Sequence, residues 1–134
     1  MSEQIVIDAT DGVMGRVAAF ATKQALLGKD VVIVNCEKAV VTGNRRTTIE
    51  DYKEKRQRGG ASLRGPHFPK QAEKIMKRTV RGMLNYTFAR GLQAYRRIIC
   101  YDAVPAEFAS AKKITLTREL KTRAISLGDL SKEM

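Results

Sequence analysis

No stretch of the 134 residues approaches the run of about 18 apolar residues that a membrane helix needs. The N-terminus carries no signal-peptide pattern, so a cytoplasmic location is expected. Histidine occurs once, at His67, with no cysteine or histidine beside it, and a metal site is not expected. Cys36 and Cys100, the only cysteines, each end an apolar run (VVIVNC and RIIC) and read as buried free thiols rather than a disulfide or metal pair. Internal repeats and low-complexity tracts are absent. Acids are scarce too: 14 Asp and Glu face 25 Lys and Arg, for a net charge of +11. With 43% hydrophobic residues the chain is still no disordered tail, and its length suits one domain with a genuine core.

The charge is concentrated. Residues 45–97 hold 15 basic and 4 acidic side chains, a balance of +11, while the remainder holds 10 of each. A basic segment without an aromatic-rich amphipathic anchor points to nucleic acid rather than to a membrane surface. Its centre is residues 70–84 (KQAEKIMKRTVRGML). Ala72, Ile75, Met76, Thr79, Val80, Met83 and Leu84 follow the i, i+3, i+4 spacing of a buried helical face. Lys70, Lys74, Lys77, Arg78 and Arg81 occupy an opposite arc of roughly 100°, broken only by Glu73. Solvated helices usually mix signs to gain i,i+4 pairs. A stripe of one sign repels itself unless an anion lies along it, so this helix is expected to sit on a core and face a phosphate backbone.

The first third reads as α/β. Residues 4–9 (QIVIDA) form a short buried strand, and Gly15 opens a helix to about Leu27 with Val17, Phe20, Ala21 and Leu27 inside. Gly28 suits the left-handed position past the helix, and residues 31–36 form a strand covered on both faces. Strand, helix and strand with tight connections make a βαβ unit. Asp8, Gly12, Gly15 and Glu37 raise the alternative of a nucleotide-dependent enzyme, since a helix N-terminus attracts phosphate. The G-x-G-x-x-G and P-loop patterns are missing, and the glycines suit a tight turn and a close helix–strand contact better.

Residues 39–43 are extended, and Thr47 to Glu50 matches a capping box that starts a basic helix. Residues 58–69 (RGGASLRGPHFP) form an exposed basic loop with little to bury, the kind that packs into folded RNA. Tyr86, Phe88 and Tyr95 lie among Arg90, Arg96 and Arg97, and core packing accounts for most of them better than base stacking. Residues 97–102 are a further strand, 112–117 an extended piece, and the tail a short helix.

Over nearly its whole length the sequence resembles the family of universal large-subunit ribosomal protein number thirteen, in its archaeal form. The resemblance is carried by IDATDGVMGRVAAFATKQALLGKDVVIVNCEKAVVTG, the Gly65-Pro66-x-x-Pro69 loop, RTVRGML at 78–84, RRIICYDAVP and SLGDLSKEM. Asn85 replaces a common proline and Ala103 a common glycine; the first bears on how the helix ends, the second on the following turn. The resemblance implies a three-layer α/β/α sandwich around a small, mostly parallel sheet, with a basic loop–helix insertion. It implies a structural, non-enzymatic constituent of the large ribosomal subunit that binds large-subunit ribosomal RNA, supports assembly and touches neighbouring ribosomal proteins. No cofactor, small-molecule substrate or membrane is expected.

Phosphate contacts are expected from Arg45, Arg46, Lys53, Lys55, Arg56, Arg58, Arg64, Lys70, Lys74, Lys77, Arg78, Arg81, Arg90 and Arg96. Gly59, Gly60 and His67 are expected to thread an RNA junction. A free-standing RNA-binding translational regulator would share this basic face and remains the main alternative.

Overall fold

The computed structural model describes residues 3–57, 69–116 and 123–133. Four strands, β1 (Gln4–Asp8), β2 (Asp30–Val34), β4 (Ile98–Cys100) and β5 (Lys113–Thr115), form a wholly parallel sheet in the order β4-β2-β1-β5. A separate antiparallel pair joins β3 (Val40–Thr42) to β6 (Ala124–Ser126). Helices α1 (Met14–Leu26), α2 (Arg45–Gln57), α3 (Ala72–Met83), α4 (Ala89–Arg97) and α5 (Leu127–Glu133) complete the regular structure. None of the helices described is long and apolar enough to cross a membrane.

Strand side chains alternate between two faces, and the sequence pattern follows that alternation. Ile7, Val31, Ile33 and Ile98 point into the main core with Val17, Ala18, Ala21 and Ala25 of α1 and Ile75, Met76 and Val80 of α3. Val6, Val32 and Val34 form a second cluster under Tyr101, Val104 and Phe108. An α/β architecture is thus observed. Helices cover the first sheet face, and residues 101–111, with a single 3-10 turn at Ala106–Phe108, cover the second.

Two turns decide how the strands connect. Gly28 ends α1 at φ +94°, and its N–H donates to Ala25 O at 3.0 Å. This is the left-handed exit that the sequence predicts. At Gly12 an added Cβ would lie 2.9 Å from Val17 Cγ2, so that glycine lets the β1–α1 turn press on the helix.

Several boundaries differ from the sequence reading, each for a local reason. Leu27 is 64% exposed, because α1 stops at Leu26 and the chain leaves through Gly28. Helix α2 begins at Arg45, ahead of the expected capping box. Its cap is Asn44, whose Oδ1 accepts the Arg46 N–H at 2.9 Å. Met83 was expected inside but is 44% exposed along a groove with Leu26 and Leu27. Helix α3 ends there, and Leu84 turns extended at φ −109° and ψ 146° yet is buried as expected. The strand within RIIC, β4, starts at Ile98, since Arg97 still belongs to α4.

Helix α3 takes its first cap from far along the chain. Asp102 Oδ1 accepts the Glu73 N–H at 2.8 Å, which satisfies one of the orphan donors of the first turn. At the other end, Gly82 has nothing within 4 Å of an added Cβ, whereas an added Cβ at Gly91 would collide with the Asn85 carbonyl. The two glycines therefore respond oppositely to alanine. Gly82→Ala should raise stability by about 0.5–1 kcal/mol through helix propensity, and Gly91→Ala should lower it by more than that. Urea unfolding midpoints of the two variants check both signs.

Candidate nucleic-acid interface

Helix α3 divides as its sequence pattern requires. Ala72, Ile75, Met76 and Val80 are buried, Lys70 and Lys74 are exposed, and Arg78 and Arg81 are half-buried. A shallow cleft of about 230 Å³ gathers Lys74, Lys77, Arg78 and Arg81 with Pro69 and Tyr95. A second, of about 350 Å³, is lined by Lys74, Lys77, Arg96 and the β4 residues Ile98, Ile99 and Cys100, with Glu73 at its edge. The two clefts share Lys74 and Lys77, so the α3 cations and Arg96 of α4 form one continuous basic surface. Arg90 is exposed at the other end of α4.

Lys77 behaves differently from its neighbours. Its ammonium donates to Tyr95 O at 2.8 Å and to Ile98 O, and lies 4.2 Å from the centroid of the Tyr95 ring. Those carbonyls close the C-terminal end of α4, where a cation is favoured. Burial pulls the Lys77 ammonium below the ordinary lysine value, partly opposed by Cys100. The sequence pattern alone places Lys77 with the phosphate contacts. The structure engages it first in joining α3 to α4.

The cations of α2 lie outside both clefts. Arg46 Nε pairs with Glu50 at 3.2 Å one turn along, Arg45 lies 3.8 Å from Glu133 of α5, and the Lys55 ammonium sits 5.0 Å from the Tyr52 ring centroid. Lys53 and Arg56 are exposed. Arg58, Gly59, Gly60, Arg64 and His67 lie outside the described residues.

The residues that suggested a nucleotide site do not assemble into one. The Asp8 carboxylate accepts from Thr10 N at 3.0 Å, Thr10 Oγ1 at 2.6 Å and Asn35 Nδ2 at 3.1 Å. Burial raises its pKa, but those hydrogen bonds, with Lys113, outweigh burial and hold the carboxyl below its usual value. Gly12 is filled by Val17, and Glu37 borders a separate cleft with Lys38, Gln71, Asp102 and Asp129 that includes none of Asp8, Gly12 or Gly15. Cys36 and Cys100 are free thiols. The neighbouring Cys100 thiol and burial push the Cys36 pKa far above the ordinary thiol range, which disfavours a nucleophilic role.

Comparison with known proteins finds a family match and relatives over nearly the whole chain. The family model described as Ribosomal protein L13 matches residues 2–107. The chain belongs to that family. It is 44% identical over 135 aligned positions to "Large ribosomal subunit protein uL13" of Methanosarcina barkeri, which covers 96% of each chain. It is 41% identical to the protein of the same name from Methanococcoides burtonii, again over 96% of each chain. The Archaeoglobus fulgidus protein of that name is 41% identical over 95% of this chain and 85% of its own. The L13 match contains the whole basic segment of 45–97, including both clefts.

Sequence periodicity found the α3 face, Lys77 included, but not the bonds that Lys77 and Asp102 make to partners 18 to 29 residues away. Asn44 was findable, since an Asn just before a helical run is a strong capping signal. Lys77→Met removes the charge and keeps most of the stem. It should cost about 1–2 kcal/mol in urea unfolding, while Lys74→Met changes stability little. The folded ammonium binds its proton more weakly than the unfolded one. The charged form of Lys77 is therefore held less well than the neutral form would be, a deficit relieved as pH rises through the folded pKa toward 10.5. The wild type should gain stability over that window relative to Lys77→Met.

Proposed function

We propose that this chain is a structural constituent of the large ribosomal subunit, holding ribosomal RNA against the basic surface of α3 and α4 beside neighbouring ribosomal proteins. Membership of the L13 family supports the subunit assignment, and with it a place in the cytoplasmic ribosome rather than an enzymatic role. The single observation that carries RNA contact is the asymmetry of α3. One side is packed into the sheet core, and the other presents Lys74, Arg78 and Arg81, with Lys70 just ahead of the helix and a single acid, Glu73, in its first turn.

The mechanism is electrostatic and shape-based. Lys74, Arg78, Arg81 and Arg96 meet phosphates and fix the register of the protein on folded RNA. Arg90 and Lys70 extend the surface at its two ends. Arg45, Arg46, Lys53, Lys55 and Arg56 of α2 form a second basic face. Arg58, Arg64, His67, Gly59 and Gly60, outside the described residues, join the proposed RNA contacts on sequence grounds alone. Supporting assembly follows from the same geometry, since a rigid basic face can fix RNA segments that would otherwise repel.

The triple substitution Lys74→Ala, Arg78→Ala, Arg96→Ala tests this directly. Binding to large-subunit ribosomal RNA should weaken, and the slope of log affinity against log salt should fall by about one unit or less per lost contact. An unchanged slope would reject the surface. Sedimentation of cell extract tests the assignment itself: the protein should travel with the large subunit, and its absence there would favour a free-standing RNA-binding regulator.

A further inference from the structure

Among the described residues two aromatic side chains are exposed: Phe88 at 67% and Tyr86 at 44%. Both stand in the turn between α3 and α4, inside the basic segment, where the sequence favoured core packing. Scattered surface apolar residues are ordinary. These two differ because the backbone beneath them is braced. Leu84 is buried on one side of the turn; Phe88 N–H donates to Asn85 O at 3.1 Å, and Leu92 N–H to Phe88 O at 2.9 Å. Thr87 Oγ1 and Asn85 Oδ1 are 2.9 Å apart, and Gly91 packs so tightly on the Asn85 carbonyl that a Cβ would not fit. The turn thus holds two rings out into solvent on a fixed frame.

The surroundings indicate what they face. The Arg81 guanidinium lies 5.1 Å from the Tyr86 ring centroid, and Arg90 is exposed two residues past Phe88. Rings flanked by cations suit a partner with flat π faces and anionic links. An apolar protein surface would leave those charges unanswered. We propose that Tyr86 and Phe88 form a stacking platform for unpaired bases of ribosomal RNA, an inference that rests on the RNA-binding reading above. Bases inside a duplex are already stacked on one another, so the platform takes a loop, bulge or strand end. Arg81 serves both partners, holding Tyr86 in place and meeting the adjoining phosphate.

The chain has no tryptophan, so Phe88→Trp supplies a single reporter at the platform. The probe is a transcript of the organism's own large-subunit ribosomal RNA. Phe88→Trp should bind close to wild-type affinity with its emission quenched in the complex. Phe88→Ala should weaken binding about tenfold, with the salt slope unchanged because a ring carries no charge. Wild-type affinity in Phe88→Ala, or an unquenched tryptophan in the complex, would overturn the platform while leaving RNA binding intact. A change in emission that appears only when other large-subunit proteins are added would give the rings to a protein neighbour and overturn it as well. No binding by the wild type would remove the RNA reading itself.

Discussion

Helix α3 is fixed by groups that lie far from it in the chain, and the rest of the surface depends on that fixation. Asp102, from the loop after β4, accepts the Glu73 N–H in the first turn. Lys77, from the middle of the helix, donates to the closing carbonyls of α4. Together they tie α3 to the junction of α4 with β4 and to the loop just after β4. The helix therefore cannot rotate about its axis without breaking a buried stripe and three charge-assisted hydrogen bonds. Rotation is what matters, because a turn of the helix by one residue in one direction would put Ile75 and Thr79 where Lys74 and Arg78 stand on the open face.

Magnitudes explain why a stripe of cations survives. Like charges one helical turn apart each cost a few tenths of a kcal/mol. Burying Ile75, Met76 and Val80, all at 0% exposure, contributes about 1.5–3 kcal/mol each. Packing wins by a wide margin, so the protein can hold the cations together before any anion arrives. Lys77 lowers the repulsion further, since its charge is directed inward at carbonyl oxygens rather than along the stripe.

What could be read from the sequence divides along the same line. Properties set within one element were legible: the β1–α1–β2 runs, the Gly28 exit and the apolar side of α3 all follow from periodicity and local backbone chemistry. Properties set between elements were not. A helical wheel places Lys77 on the polar side, but not opposite the end of α4. The pattern of rings and arginines at 86–97 makes packing the better reading for most of the three aromatics. It fits Tyr95, half-buried under Lys77, and fails for Tyr86 and Phe88, because the burial of a turn residue depends on which side the turn faces. The capping box at 47–50 misled for a related reason: two helix-start signals lay three residues apart, and Asn44 came first.

The free protein and the bound one differ in how this charge is balanced. Without RNA, the basic segment carries its +11 against a remainder of zero net charge, and only salt ions screen it. In the proposed complex, phosphates along α3 would replace those ions with fixed counter-charges, and any ligand that binds the folded surface better than the unfolded chain also stabilises the fold. The core has to supply enough stability to hold the surface in shape beforehand, and the buried stripe of α3 with its two distant ties provides it. Binding then need not organise this face, and the entropy of ordering it does not subtract from affinity. That division of labour, with a neutral α/β core bearing the strain and a basic face bearing the contact, explains why the charge excess is confined to one segment of the chain.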